Sequence, residues 1–219
     1  MDVVIPIVFP DYLIAVGTPA ITVDIPDLLP WIDVLPKKLK VRKTQNKLPM
    51  LGHAGVLFFD GGSGLSKYYE YGRYDPQNKG LVRRTSIPDV KIAPNGRPTA
   101  DSLKAVLHKI SMAAGQKGRI SGVYIEVKGK FPAMLSYADT RKKQNGNPSR
   151  VPYDLTRNSC IHFAKGVVEA AGVQTPWMVD PRPQSYIGQF RDEFSDLDYD
   201  PKSRRLTVEW IPELGGAGK

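Results

Sequence analysis

The chain has 219 residues, enough for one sizeable core with at most a modest extension. Its composition, 41% hydrophobic and 24% charged, is that of a globular protein and excludes a disordered chain, while a single cysteine excludes an internal disulfide. The net charge of +9 is unevenly placed: residues 1–36 hold Asp2, Asp11, Asp24, Asp27 and Asp33 and no Lys or Arg, which leaves +14 on the remainder.

Residues 1–48 are apolar at first and then basic, and they are punctuated by Pro6, Pro10, Pro19 and Pro26. Short β-like runs at Val3–Phe9 and Ile21–Ile25 stand out, but proline removes a ladder donor, so the expectation is an N-terminal proline-rich extension packed on the domain. Leu28, Leu29 and Trp31 are either packed there or dock a partner. Asp2 takes the place of a basic leader, and the prolines interrupt the apolar stretch. The segment therefore fits neither a signal peptide nor a membrane span. Lys37, Lys38, Lys40, Arg42, Lys43 and Lys47 follow, either a solvated linker or a patch for an anionic partner.

From residue 49 onward one folded domain is expected. His53 to Asp60 and Ser66 to Tyr74 read as two strands joined by the turn Gly61-Gly62-Ser63-Gly64. If that hairpin is centred between Gly62 and Ser63, Gly55 faces Glu70, and Glu70 lies diagonal to His53 on the same side of the sheet. Pro98-Thr99 opens a helix to about Ala114, with Leu103, Val106, Leu107 and Ile110 on one stripe and His108 off it as a solvated surface residue. Ser121 to Gly129 reads as a strand, Ala138 to Arg150 as a basic polar loop, and Leu206 to Trp210 as a short strand before a frayed glycine-rich tail.

The chemistry concentrates at Asn158-Ser159-Cys160-Ile161-His162-Phe163, the start of a helix that runs to Ala171, with Asn158 as the expected N-cap and Gly172 beyond its end. A thiol in the first turn of a helix feels the positive end of the backbone dipole, which favours thiolate. Cys160 shares the apolar face with Phe163, Ala164, Val167, Val168 and Ala171, so it points toward whatever the helix packs on. A buried cysteine is otherwise simply a small hydrophobe. His162 lies about 200° round the helix from Cys160, a poor position for its base and a better one for a structural bond. His53, among the small residues Gly52, Ala54 and Gly55, is the candidate base, and Glu70 the candidate for the carboxylate that orients it, with Asp75 and Glu126 as alternatives.

These two motifs, Gly52-His53-Ala54-Gly55 on a strand and the later cysteine at a helix start, resemble the circularly permuted papain-like class, in which histidine precedes cysteine. That class includes relatives of the NlpC cell-wall peptidases and the lecithin retinol acyltransferase-like proteins, whose Asn-Cys-Glu-His-Phe motif is nearly repeated here. The resemblance covers about residues 50–172. It departs in Ser159, placed between Asn158 and Cys160, and in Glu70, which lies where the acyltransferases often carry a second histidine. Both departures favour a hydrolase over a lipid acyltransferase or phospholipase.

The resemblance implies an α+β papain-like (permuted NlpC-like) fold, with an antiparallel sheet packed against the cysteine-bearing helix and the catalytic domain at residues 49–219. It implies a cysteine amidase or endopeptidase acting on amide bonds of peptidoglycan peptides, with no metal or organic cofactor. A basic hydrolase without a leader is also similar to antibacterial effectors of type VI secretion. Such an effector is made in the bacterial cytoplasm, exported without a cleaved signal, active in the target-cell periplasm, and served by an immunity protein and a secretion-apparatus carrier. The rival reading from another class is a non-catalytic nucleic-acid or polyanion binder, although the chain carries no recognised nucleic-acid motif.

Overall fold

A computed structural model describes residues 1–15, 22–24, 38–40, 47–48, 52–75, 79–191 and 193–209. At its centre is a seven-stranded antiparallel sheet ordered β11-β10-β9-β1-β6-β7-β8. Its strands are β1 (Asp2–Phe9), β6 (His53–Phe59), β7 (Ser66–Gly72), β8 (Leu81–Thr85), β9 (Ile120–Val127), β10 (Ser195–Asp200) and β11 (Arg205–Glu209). Two further pairs, β2 (Ile14–Ala15) with β5 (Lys47–Leu48) and β3 (Thr22–Asp24) with β4 (Lys38–Lys40), form separate small ladders.

Both faces of the sheet are covered. Helix α1 (Ala100–Ala113) packs its Leu103, Val106, Leu107 and Ile110 stripe against Val3, Ile5, Ile7, Leu57 and Phe59. Helices α2 (Phe131–Lys143), α3 (Cys160–Ala170) and α4 (Pro183–Gly188) cover the opposite face, over Val4, Val8, Val56, Phe58 and Tyr69. A strand buried on both sides needs no polar alternation, which is why β1 and β6 are apolar throughout and every residue in them is buried.

The position of β1 corrects the expected boundary for its own residues. Asp2–Phe9 is no outer extension; it lies between β6 and β9 in the middle of the sheet. Pro6 is tolerated because the pairing of β1 with β9 covers Asp2 to Val4 and resumes at Ile7, so the missing N–H falls in a gap of the ladder. Asp2 also ties the layers together, accepting from Gly61 N–H at 3.0 Å and from Phe131 N–H, at the start of α2, at 2.8 Å.

A second correction concerns Ala138–Arg150, expected as a loop. Its first half is the end of α2, where Arg141, Lys142 and Lys143 complement the negative helix terminus, and a 3-10 turn at Gln144–Gly146 follows. His108 is half-buried, with its Nδ1 3.1 Å from the Tyr199 hydroxyl, so it joins α1 to β10 and does not stand free in solvent. Strands β8 and β10 and helix α4 add elements that the sequence reading lacked. Leu28, Leu29, Trp31 and the tail 215–219 lie outside the described residues, as does most of the basic run 37–47. Among the described residues no helix is long and apolar enough to cross a membrane.

Candidate active site

His53 opens β6, and the β6–β7 register places Gly55 opposite Glu70, the pairing expected from the hairpin. The consequence is direct: His53 Nε2 lies 3.1 Å from Glu70 Oε2, and both side chains are buried. Glu70 Oε2 also accepts the Tyr68 hydroxyl at 3.1 Å, while the Tyr74 hydroxyl stands 3.0 Å from His53 Nε2. Gly55 makes this cluster possible, because a Cβ there would lie 2.3 Å from the Tyr68 hydroxyl oxygen. From β1, Phe9 pairs with His53 and stacks on it at 6.1 Å between ring centroids; Tyr12, just beyond, closes in at 4.9 Å.

The third component comes from the other layer. Helix α3 packs on β6, β7 and β1, with Phe163, Ala164, Val167 and Val168 buried, and its first residue, Cys160, is 4% exposed. Gly172, at φ +78°, ends the helix in the left-handed conformation that glycine takes without a Cβ penalty. The thiol lies within electrostatic reach of His53, and each shifts the protonation of the other. Since Nε2 is engaged by Glu70, Nδ1 is the nitrogen left for the sulfur.

The electrostatics favour an ion pair. Burial by itself would lower the basicity of His53, but its hydrogen bonds to Cys160 and Glu70, and their charges, outweigh that and raise it from 6.5 to about 9. Burial likewise opposes thiolate at Cys160, yet the His53 bond and charge, the Tyr153 hydroxyl and the Ala54 backbone N–H together hold the thiol below its ordinary range. Both shifts favour a thiolate beside an imidazolium whose far side is anchored on a carboxylate, the form in which a cysteine attacks an acyl carbon.

The other sequence candidates lie elsewhere. Asp75 forms an ion pair with Arg150, and Glu126 pairs with Arg97 at 3.2 Å on the surface. His162 serves the helix start: its Nδ1 accepts the Ser159 backbone N–H at 3.3 Å and sits 2.8 Å from the Ser159 hydroxyl. Ser159, not Asn158, is therefore the N-cap. The extra serine relative to the acyltransferase motif takes the capping position and frees Asn158, which reaches the Tyr71 hydroxyl at 3.0 Å and the Pro152 carbonyl at 2.9 Å.

The sequence profile of the type VI secretion system effector TseH-like family matches residues 4–175. The chain belongs to the TseH-like family. It is 36% identical to the type VI secretion system effector TseH in that protein's crystal structure, with a TM-score of 0.74 over 95% of this chain and 97% of that one. A search of curated proteins returned no match. The profile's span takes in most of β1 as well as α3, in keeping with a sheet in which β1 is a central strand. The expected α+β papain-like arrangement, an antiparallel sheet under the cysteine helix, is the fold of this TseH-like chain.

Tyr153 is the main site residue that sequence reasoning missed. Its hydroxyl accepts the Cys160 backbone N–H at 3.4 Å, which sets it beside the sulfur, and its ring stacks on Tyr71 at 5.4 Å. Burial first, and then the neighbouring sulfur, raise the phenol well above its ordinary range, so it stays a protonated donor. Tyr153 lies in the irregular stretch before α3, where no periodicity marks it. Phe9 and Tyr12 were hidden for a different reason: only the pairing of β1 with β6 brings them to His53.

Proposed function

We propose that this chain is a cysteine amidase or endopeptidase that cleaves amide bonds in peptidoglycan peptides through a thioacyl-enzyme, delivered as an antibacterial toxin. The observation that carries this reading is the buried grouping of Cys160, His53 and Glu70 beneath one helix start, with His53 hydrogen-bonded to Glu70 and electrostatically coupled to Cys160. Membership of a secretion-effector family supports the toxin role, and a basic chain suits an anionic wall polymer.

In the proposed cycle, His53 holds the proton of Cys160 and the Sγ lone pair attacks the amide carbon. The carbonyl π pair moves onto oxygen, and the oxyanion forms beside the Cys160 backbone N–H, where Tyr153 now sits. Collapse expels the amine, which takes the proton from His53, and leaves a thioester. His53 then deprotonates water, which attacks the thioester carbonyl. Loss of the thiolate releases the acid, with the imidazolium restored. Glu70 keeps Nε2–H pointed away from the sulfur throughout, so that Nδ1 exchanges the proton.

Export without a cleaved signal, action in the target-cell periplasm, an immunity protein in the producing cell and a carrier on the secretion apparatus belong to the same proposal. The test is digestion of purified peptidoglycan by the protein and by Cys160→Ala, with mass spectrometry of the released fragments. New amine and carboxyl termini that appear only with the parent protein support the reading. Undigested wall, together with polyanion binding that survives Cys160→Ala, would instead establish the non-catalytic binder.

A further inference from the structure

A cavity of about 260 Å³ opens beside the start of α3, walled by the end of α2, the following 3-10 turn and the segment leading into the cysteine helix. Three guanidinium groups line it, from Arg141, Arg150 and Arg157. Arg141 is braced by Asn158 Oδ1 at 3.1 Å and lies over the Tyr71 ring at 5.3 Å. Arg150 is held by Asp75 and by the Gly80 carbonyl at 3.0 Å. Asn145 is fixed in the wall, bonding the Val82 N–H at 2.9 Å and the Val82 carbonyl at 2.8 Å. Arg157 is exposed; the Asp154 carboxylate accepts its backbone N–H at 2.9 Å and feels its charge, while among the described residues no carboxylate forms an ion pair with its guanidinium.

Of these three cations, then, only Arg150 is ion-paired, Arg157 has Asp154 nearby without a direct pair, and the walls already hold Arg141 and Arg150 in place, so little ordering is left for a ligand to impose. The Tyr71 and Tyr153 rings connect this cavity to the sulfur: Tyr71 lines it, and Tyr153 touches Cys160.

We infer that this cavity is a subsite for a free carboxylate of the peptide substrate, with Arg157 as its open ligand. The inference rests on the hydrolase reading and adds a specificity determinant to it. A planar guanidinium fork matches a carboxylate with two parallel N–H···O bonds, and a small concave site suits one such group. A single-stranded nucleic acid needs a groove that tracks its backbone and open aromatic faces on which bases stack. Tyr71 offers no such face here, since Arg141 and Tyr153 already lie against its ring.

The experiment uses the full chain and three versions of one wall peptide: free carboxylates throughout, the C-terminal carboxylate converted to carboxamide, and the side-chain carboxylate converted instead. Hydrolysis is measured with the parent, Arg157→Gln and Arg157→Lys, and binding of the same peptides is measured by calorimetry with Cys160→Ala. The carboxylate that enters the cavity is the one whose amidation raises KM about tenfold with kcat unchanged. Arg157→Gln then raises KM for the free peptide by a similar factor and leaves the amidated one unaffected, and Arg157→Lys recovers only part of the loss. Equal KM for all three peptides, or an equal loss on all three with Arg157→Gln, overturns the inference while leaving the hydrolase reading intact. If the parent cuts none of them, the hydrolase reading fails by itself; calorimetry then decides the subsite, which stands if Cys160→Ala prefers the free carboxylate and falls if it does not.

Discussion

Replacing Glu70 with glutamine tests the core of the site, because it keeps the size of the side chain and removes its charge. The carboxylate oxygen lies 3.1 Å from His53 Nε2, and both groups are buried. Taking about 4 Å between charge centres and an effective dielectric constant of about 20, their attraction is about 4 kcal/mol, or about three units of His53 proton affinity. Losing it brings His53 down from about 9 to near or below its ordinary value, and the thiolate loses its imidazolium partner. The glutamine amide can also donate to Nε2, which would leave the proton on Nδ1 and disable the base. The expected outcome is a fall in kcat/KM of about 100- to 1000-fold. Because Cys160 is the only cysteine, alkylation by iodoacetamide across pH reports this thiol alone, and its midpoint should move up in Glu70→Gln. Activity within about threefold of the parent and an unmoved alkylation midpoint would refute the assignment of Glu70 as the group that orients His53.

Three further outcomes are expected. In the parent, kcat/KM should rise with pH as the Cys160 thiolate forms, below the ordinary thiol range, and fall again near 9 as His53 loses the proton it must give to the leaving amine. A plateau extending well past that value would show that His53 is not the acid. Tyr153→Phe keeps the ring stacked on Tyr71 but removes the hydroxyl at the sulfur, so the alkylation midpoint should rise and kcat/KM drop about tenfold or more, with unfolding by denaturant little changed. Gly55→Ala forces Tyr68 off Glu70. Denaturant titration should find about 1–3 kcal/mol of lost stability, and the residual folded enzyme should be less active.

What the sequence determined by itself was whatever local chemistry dictates. The stripe of α1, the hairpin register that sets Glu70 beside His53, and a helix that carries Cys160 in its first turn and ends before Gly172 all follow from short-range periodicity and turn residues, although the cap proved to be Ser159 and not Asn158. Where local signals conflict with tertiary context, the fold decided. Pro6 argued against a central strand, yet it occupies a gap in the β1–β9 ladder. Helix α2 carries little apolar periodicity and draws its start from Asp2, 129 positions away along the chain. Strand β10, Ser-Asp-Leu-Asp-Tyr-Asp, gains its place by pairing between β9 and β11 and not from its own propensity. The meeting of sulfur, imidazole and Tyr153 likewise required the packing of α3 across the sheet. Contacts between residues distant in sequence depend on how faces pack together, and a linear pattern records which face is apolar but not which partner it will cover.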